Sequence, residues 1–317
     1  MKVNFKGKKI DLPDFLIVGA AKSGTTSLYF YLKQSNEIFM PTIKEPWFFS
    51  FRGINKKFVW PGSGEEVNLN EIHVFEDDAY IKLFEGHGEK VIGEASTSYL
   101  YTHHDTVKNI KELYGESYKK LKIIVILRNP IERAWSHYMM HVRDKTDYGT
   151  FLEGIQPEEI KYRMNKSWNI GYDYIGFGMY SSQVEKFLHE FEDVLVLLQE
   201  DLAKTTDETV KKVTSFLHVS SQGIQTNVKY NVSGAKPRGI RGIFSTLLFK
   251  KNPLKTVVKQ LIPKQYRYIL RARLGESLLE KSEVNLKASV VLHKIYDKDI
   301  VRLEKLINRD LSYWREN

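Results

Sequence analysis

The first residues with chemistry in their spacing are Gly19-Ala-Ala-Lys22-Ser-Gly24-Thr25-Thr26, set between an apolar run, Phe15 to Gly19, and Ser27-Leu-Tyr-Phe-Tyr-Leu32. A buried strand, a glycine turn and a helix in that order aim backbone N–H groups and the positive end of a helix dipole at one point, which suits a phosphate. A nucleotide triphosphatase loop reads G-x-x-x-x-G-K-[ST]. Here Thr25 occupies the lysine position and the lysine comes earlier, at Lys22. Magnesium-dependent triphosphate chemistry also needs an acidic residue at the end of a neighbouring strand, whereas the clearest strand in the chain ends in Leu127 and Arg128. The spacing favours a single phosphate group over a metal-bound triphosphate. A glycine turn serving only the backbone shares this pattern, so the loop alone leaves that reading open. His137 and His141 are four apart on a predicted helix and could bind a metal. No third ligand is in view, which favours packing.

The elements that must position these groups are legible as alternating runs. Phe15 to Gly19, Val91 to Glu94, Lys122 to Leu127 and Glu192 to Leu198 read as short buried strands. Helical spacing covers Asp105 to Tyr114, a stretch from near Ile131 carrying Arg133, Ser136 and His137, then Ser182 to Glu190, Thr206 to Leu217 and Asn285 to Leu311. Alternating strands and helices predict an α/β fold, a P-loop-like parallel sheet flanked by helices on both faces, in a single domain over 1–317.

Composition bounds the answer. A hydrophobic fraction of 42%, with 17 Phe and 18 Tyr among 317 residues, is enough for a large core and excludes a disordered chain. The absence of cysteine excludes disulfides, thiolate-held zinc and a thiol nucleophile. Apolar runs such as Ile123 to Leu127 are too short to cross a bilayer, and Met1 to Asp14 lacks the apolar core of a signal peptide. A cytoplasmic protein is expected. The net charge of +9 is concentrated between Lys229 and Arg273, which hold twelve basic residues and no acidic one. This basic block 229–273 reads as an insertion or covering segment that meets an anionic donor, an acceptor or a headgroup layer, unless it is only a solvated helical face.

Three ordered segments carry a family resemblance: Lys22-Ser-Gly-Thr-Thr26, Lys44-Glu-Pro-Trp-Phe-Phe49, and Ile126-Leu-Arg-Asn-Pro-Ile-Glu-Arg-Ala-Trp-Ser-His-Tyr138. The chain resembles the sulfotransferases that use 3′-phosphoadenosine 5′-phosphosulfate (PAPS), from about Asp14 to an ending, Leu303 to Trp314, of the family type. It is most similar to the glycan (heparan-type) branch and its bacterial relatives. The resemblance implies PAPS as co-substrate, no metal, and transfer to a hydroxyl or amine of a glycan or glycolipid. It makes Lys22 the stabiliser of the leaving phosphate and Glu45 the general base. The aromatic neighbours Trp47, Phe48 and Phe49 are expected to raise the Glu45 pKa by desolvation, with a glutamate merely held by Lys44 as the alternative. Ser23, Gly24, Thr25, Thr26 and Ser27 then hold the 5′-phosphate, and Arg128 and Ser136 the 3′-phosphate. Tyr180, in Gly178-Met-Tyr180, lies near the nucleotide, and Arg238 and Gly239 belong to a basic closing loop. His103 and His104 are the alternative base, as in the cytosolic branch.

The sequence also departs from the pattern. Gly93 to Tyr99 lacks the lysine found there in some glycan enzymes, leaving Ser96 and Thr97 as neutral donors. The chain has neither the membrane anchor nor the disulfide of several relatives. The acceptor pocket is expected between Arg52 to Tyr80 and Arg143 to Asp173. The competing functions are a polyanion or membrane-surface binder built on the basic block, with peripheral membrane contact compatible with either activity, and an ATP-dependent P-loop kinase. No nucleic-acid recognition motif is present, and oligomeric state is not legible.

Overall fold

The computed structural model describes residues 1–54, 57–59, 66–144, 146–147, 149–227, 284 and 286–316; the basic block, with Arg238 and Gly239, lies outside them. The described strands are β1 (Lys2–Phe5), β2 (Lys8–Asp11), β3 (Phe15–Gly19), β4 (Ile38–Phe39), β5 (Lys57–Val59), β6 (Glu66–Asn68), β7 (Val91–Ala95), β8 (Lys122–Leu127) and β9 (Val194–Leu198). Five of them form the central sheet in the order β4-β7-β3-β8-β9, all pairings parallel.

Parallel strands covered on both sides must be apolar at every position rather than alternating. β3 is buried at all five residues and β8 at five of six. Leu16, Val18, Ile92, Ile123 and Val125 face one core layer, shared with Val107, Ile110, Val184, Phe187, Leu292 and Tyr296. Phe15, Ile17, Ala95, Ile124 and Ile126 face the other, against Leu28, Leu32, Val210 and Val213. Helices therefore cover both faces of the sheet, as its hydrophobic pattern requires.

After β3 the chain builds β4 and β7 on one side of it, and β8 and β9 on the other. The carboxyl end of β3 is thus a topological switch point, where diverging connections leave a crevice for a ligand. The loop carrying Lys22 starts there, and the segments after β7 and β8 open on the same edge.

Predicted boundaries shift for local reasons. The helix expected from Asp105 runs from His103 to Tyr114, and the strand expected from Glu192 starts at Val194. The last long helix spans Leu286–Ile307 and stops at Asn308, whose φ of 49° is a left-handed helix end. The polar N-terminus is an antiparallel hairpin, β1 with β2, turned through Lys6 (φ 50°) and Gly7 (φ 79°). Two positive φ values suit a two-residue hairpin turn. Val3 and Leu12 anchor this hairpin in the core.

Candidate active site

Beyond Gly19 the chain passes through Lys22 at φ 67° and Gly24 at φ 97° before the Thr25–Leu32 helix begins. Glycine takes that conformation freely, whereas a residue with a Cβ does so only when its surroundings hold it. The Arg128 Nη1 donates to the Lys22 carbonyl at 3.3 Å, and the Tyr180 hydroxyl donates to the Arg128 carbonyl at 3.1 Å. The end of β8 and the buried Tyr180 thereby brace the loop. The helix has no acidic residue in its first turn and no side chain capping it. A helix start of that kind favours an anion through its dipole. Ser23 is fully buried, with its hydroxyl beside that of Tyr180. A helix start without an acidic residue or a side-chain cap and the Lys22 cation together fit a bound phosphate. Burial pushes the Lys22 ammonium down to about 8, with Arg143, Arg128 and Arg133 adding to the shift and Asp144 opposing it.

Glu45 is also left-handed, at φ 62°, and so is Trp47, at φ 58°. The Glu45 N–H donates to the Ala95 carbonyl at the end of β7 (3.0 Å), and the Trp47 N–H to Ser96 Oγ (3.1 Å). His73 Nδ1 lies 2.7 Å from the Glu45 carbonyl. A carbonyl only accepts, so that nitrogen carries the proton. The His73 ring stacks on Trp47 at 4.1 Å between centroids. The carboxylate itself accepts from Lys44 Nζ (2.5 Å) on one oxygen. Its other oxygen accepts from Trp47 Nε1 (3.2 Å), the Thr97 N–H (2.7 Å) and Thr97 Oγ1 (3.0 Å).

This corrects the expected direction of the Glu45 pKa. Burial alone lifts it, but the Lys44 ammonium and the two Thr97 donors outweigh burial and hold the carboxyl below its ordinary range. Of the three aromatic neighbours only Trp47 stands beside the carboxylate. Phe48 and Phe49 are fully buried, with Phe48 stacked on Tyr80 at 3.8 Å. Of the neutral donors considered in place of the missing lysine, Thr97 is committed to Glu45, while Ser96, fully buried, accepts the Trp47 N–H on its Oγ.

Lys22 and Glu45 line one cavity of about 390 Å³, together with Gly24, Thr25 and Thr26 of the predicted phosphate loop. The same cavity is lined by Trp47, His73 and Thr97 and by His137, His141, Asp144, Thr146, Asn169 and Gly171. Both segments expected to wall the acceptor pocket contribute. Ser23, Ser27, Arg128, Ser136 and Tyr180 do not line it. Arg128 lays its guanidinium on Glu132, with Nε at 3.1 Å and Nη2 at 2.8 Å. Ser136 is buried within the Pro130–Asp144 helix. His103 is outside the cavity, with Nδ1 at 3.2 Å from the Tyr101 carbonyl. Trp135 and Tyr138, on the same helix as Ser136, are partly buried and pack on the main core. Among the described residues no group of three or more His, Asp or Glu is placed to hold a metal ion. His73 and Asn169 were not singled out in the sequence, because each lies in an irregular segment where no period or motif marks it.

A parallel sheet with a glycine loop at its switch point, and a cation and a carboxylate facing one cavity, defines a P-loop-like α/β protein that accommodates a phosphate-bearing ligand. The model of the sulfotransferase domain matches residues 12–238, and the chain belongs to that family. It is similar to a crystallised sulfotransferase from Alicyclobacillus acidocaldarius, at 30% identity and a TM-score of 0.71, over 97% of this chain and 100% of the other. The membrane-associated sulfotransferase kil1 of Dictyostelium discoideum is 29% identical over 142 residues, 44% of this chain. The chain spans about a quarter, 25%, of that relative's length.

Proposed function

We propose that this chain transfers a sulfuryl group from PAPS to an acceptor hydroxyl, with Glu45 as general base and Lys22 neutralising the leaving phosphate. The observation that carries this reading is that Lys22 and Glu45 line a single cavity at the start of an uncapped helix. When bound, PAPS supplies the sulfuryl group and a phosphate leaving group. Ser23, Gly24, Thr25, Thr26 and Ser27 hold its 5′-phosphate through backbone N–H and hydroxyl groups, and Lys22 lies on the same loop to meet the negative charge that grows as transfer proceeds. Arg128 and Ser136 are the holders of the 3′-phosphate, with Arg128 exchanging Glu132 for the ligand. Glu45 is ionised at neutral pH because Lys44 and Thr97 favour its charged form. It can therefore accept the hydroxyl proton without first losing one of its own.

The acceptor we infer is a glycan or glycolipid hydroxyl. The Trp47–His73 stack gives the cavity a flat aromatic face, and Thr146 and Asn169 add hydrogen-bonding groups across it. Peripheral membrane contact is supported by the kil1 relative and by exposed Ile43 and Ile72, which flank Glu45 and His73 in sequence. The test is sulfate transfer from PAPS to sugar, lipid and phenol acceptors by the wild type, Lys22→Ala and Glu45→Gln. A Glu45→Gln variant that keeps the full rate on the best acceptor removes Glu45 as the base.

A further inference from the structure

The cavity that Glu45 lines also holds two imidazoles that the proposed chemistry does not use. His137 and His141 are one turn apart on the Pro130–Asp144 helix, with ring centroids 5.3 Å apart. Arg133 Nη1 lies 3.1 Å from His137 Nδ1. A guanidinium only donates, so Nδ1 holds the lone pair and the ring proton of neutral His137 sits on Nε2. His141 Nδ1 is 2.9 Å from Thr146 Oγ1. His141 is 8% exposed, and its buried Nε2 has no side-chain partner and lies against the Gly171 backbone.

Both Nε2 atoms converge on Gly171. A Cβ added there would lie 3.4 Å from each of them and 3.3 Å from Asn169 Oδ1. That Oδ1 already accepts the Gly171 N–H at 2.9 Å and keeps a second lone pair. Gly171 is not among the glycines with a left-handed φ. Its backbone does not need glycine, and a Cβ there would sit at the tight edge of contact with all three atoms. We propose that the bare face of Gly171, ringed by His137 Nε2, His141 Nε2 and Asn169 Oδ1, is a subsite that recognises a non-reacting hydroxyl of the sulfate acceptor.

This deepens the acceptor reading given above and rests on it. A hydroxyl donates and accepts at once, matching the His137 Nε2–H donor beside the Asn169 lone pair. A carboxylate or sulfate ester only accepts, and would face that lone pair and the nearby Asp144. An ammonium only donates, and would meet the His137 N–H. Burial holds His137 well below its ordinary range and His141 at about 4, with Arg133, His141 and Lys22 adding to the His137 shift and Asp147, the Gly171 backbone and Asp144 opposing the His141 shift. The rings themselves therefore stay uncharged at neutral pH and act through hydrogen bonds.

The test uses the full chain, labelled with ¹⁵N-histidine and saturated with adenosine 3′,5′-bisphosphate (PAP). It is titrated with methyl β-D-glucopyranoside and with the per-O-methylated sugar, which keeps its oxygens but has no hydroxyl. The glucoside is expected to move the His137 and His141 ring signals and the methylated sugar to leave them in place. Gly171→Ala, or His141→Phe should that variant fail to fold, is expected to abolish the shifts and weaken glucoside binding about tenfold, one hydrogen bond's worth, with PAP affinity unchanged. Rings unmoved by the glucoside, or moved equally by the methylated sugar, overturn the subsite. So do variants that weaken PAP as much as the sugar. Normal sulfation of the glucoside by Gly171→Ala with unmoved rings sinks the subsite but leaves the activity standing. Moved rings without transfer to any acceptor sink the activity and leave the subsite.

Discussion

Thr97 grips one oxygen of Glu45 twice, through its backbone N–H at 2.7 Å and its hydroxyl at 3.0 Å. The pair ties the end of β7 to a segment that leaves the edge strand β4, and it decides both where the carboxylate points and how readily it ionises. Thr97→Val keeps the shape and the N–H bond but removes the hydroxyl. Hydrogen bonds to charged groups contribute about 1.5–3 kcal/mol. The expected outcome is a fall in kcat of about tenfold or more, with PAP affinity unchanged and the acid limb of the rate profile moved to higher pH. Stopped-time PAPS assays across pH check this.

Glu45→Gln keeps the hydrogen-bonding outline and removes the basic oxygen. General base catalysis typically contributes 10²–10⁴-fold, so kcat should fall by about that factor. PAP binding, measured by calorimetry, should stay at the wild-type value. A matching loss of PAP affinity would show that Glu45 acts on the donor instead.

Lys22 gives a pH signature of the opposite sense. Its ammonium is charged below about 8 and loses its proton as pH rises through that value. The kcat/KM for the donor should therefore be flat near neutrality and decline above pH 8. Lys22→Arg, which stays charged, should move this basic limb upward, whereas Lys22→Ala should lose about 10²–10³-fold at every pH.

Glu94 tests the fold rather than the chemistry. It is fully buried on β7, where Oε2 accepts from the Tyr99 hydroxyl (2.6 Å) and the Tyr80 hydroxyl (3.1 Å). Burial pushes its carboxyl up to about 7, against opposing hydrogen bonds from Tyr99, Ser96 and Tyr80. A group whose pKa rises on folding stabilises the fold fully below its unfolded value, near 4.5, and loses that contribution as pH climbs through about 7. The loss is on the order of 3 kcal/mol. Urea unfolding of the wild type should weaken by that order relative to Glu94→Gln between pH 4.5 and 7.5. Parallel curves for the two proteins would refute the assignment.

Much of the architecture was legible in the chain. Ile123 to Ile126 is β-branched and apolar throughout, which a strand buried on both faces requires, and the observed boundaries of β8, Lys122 to Leu127, are the predicted ones. Gly19 to Thr26 was legible because a glycine turn between strand and helix leaves a local pattern. The N-terminal hairpin was not, because its strands are four residues each and lysine-rich, and of their residues only Val3 is buried.

By itself the sequence determined the order of strands and helices, the cation on the glycine loop and the carboxylate ahead of the paired phenylalanines. Each depends on neighbours within a few positions. Only the tertiary structure decided that Thr97 and Lys44, not Phe48 and Phe49, set the ionisation of Glu45. It alone brought His73 under the Glu45 backbone and gathered His137, His141 and Asn169 around Gly171. A pKa or a recognition surface is the sum of groups brought close from distant parts of the chain, and that sum exists only once the sheet has closed the distances.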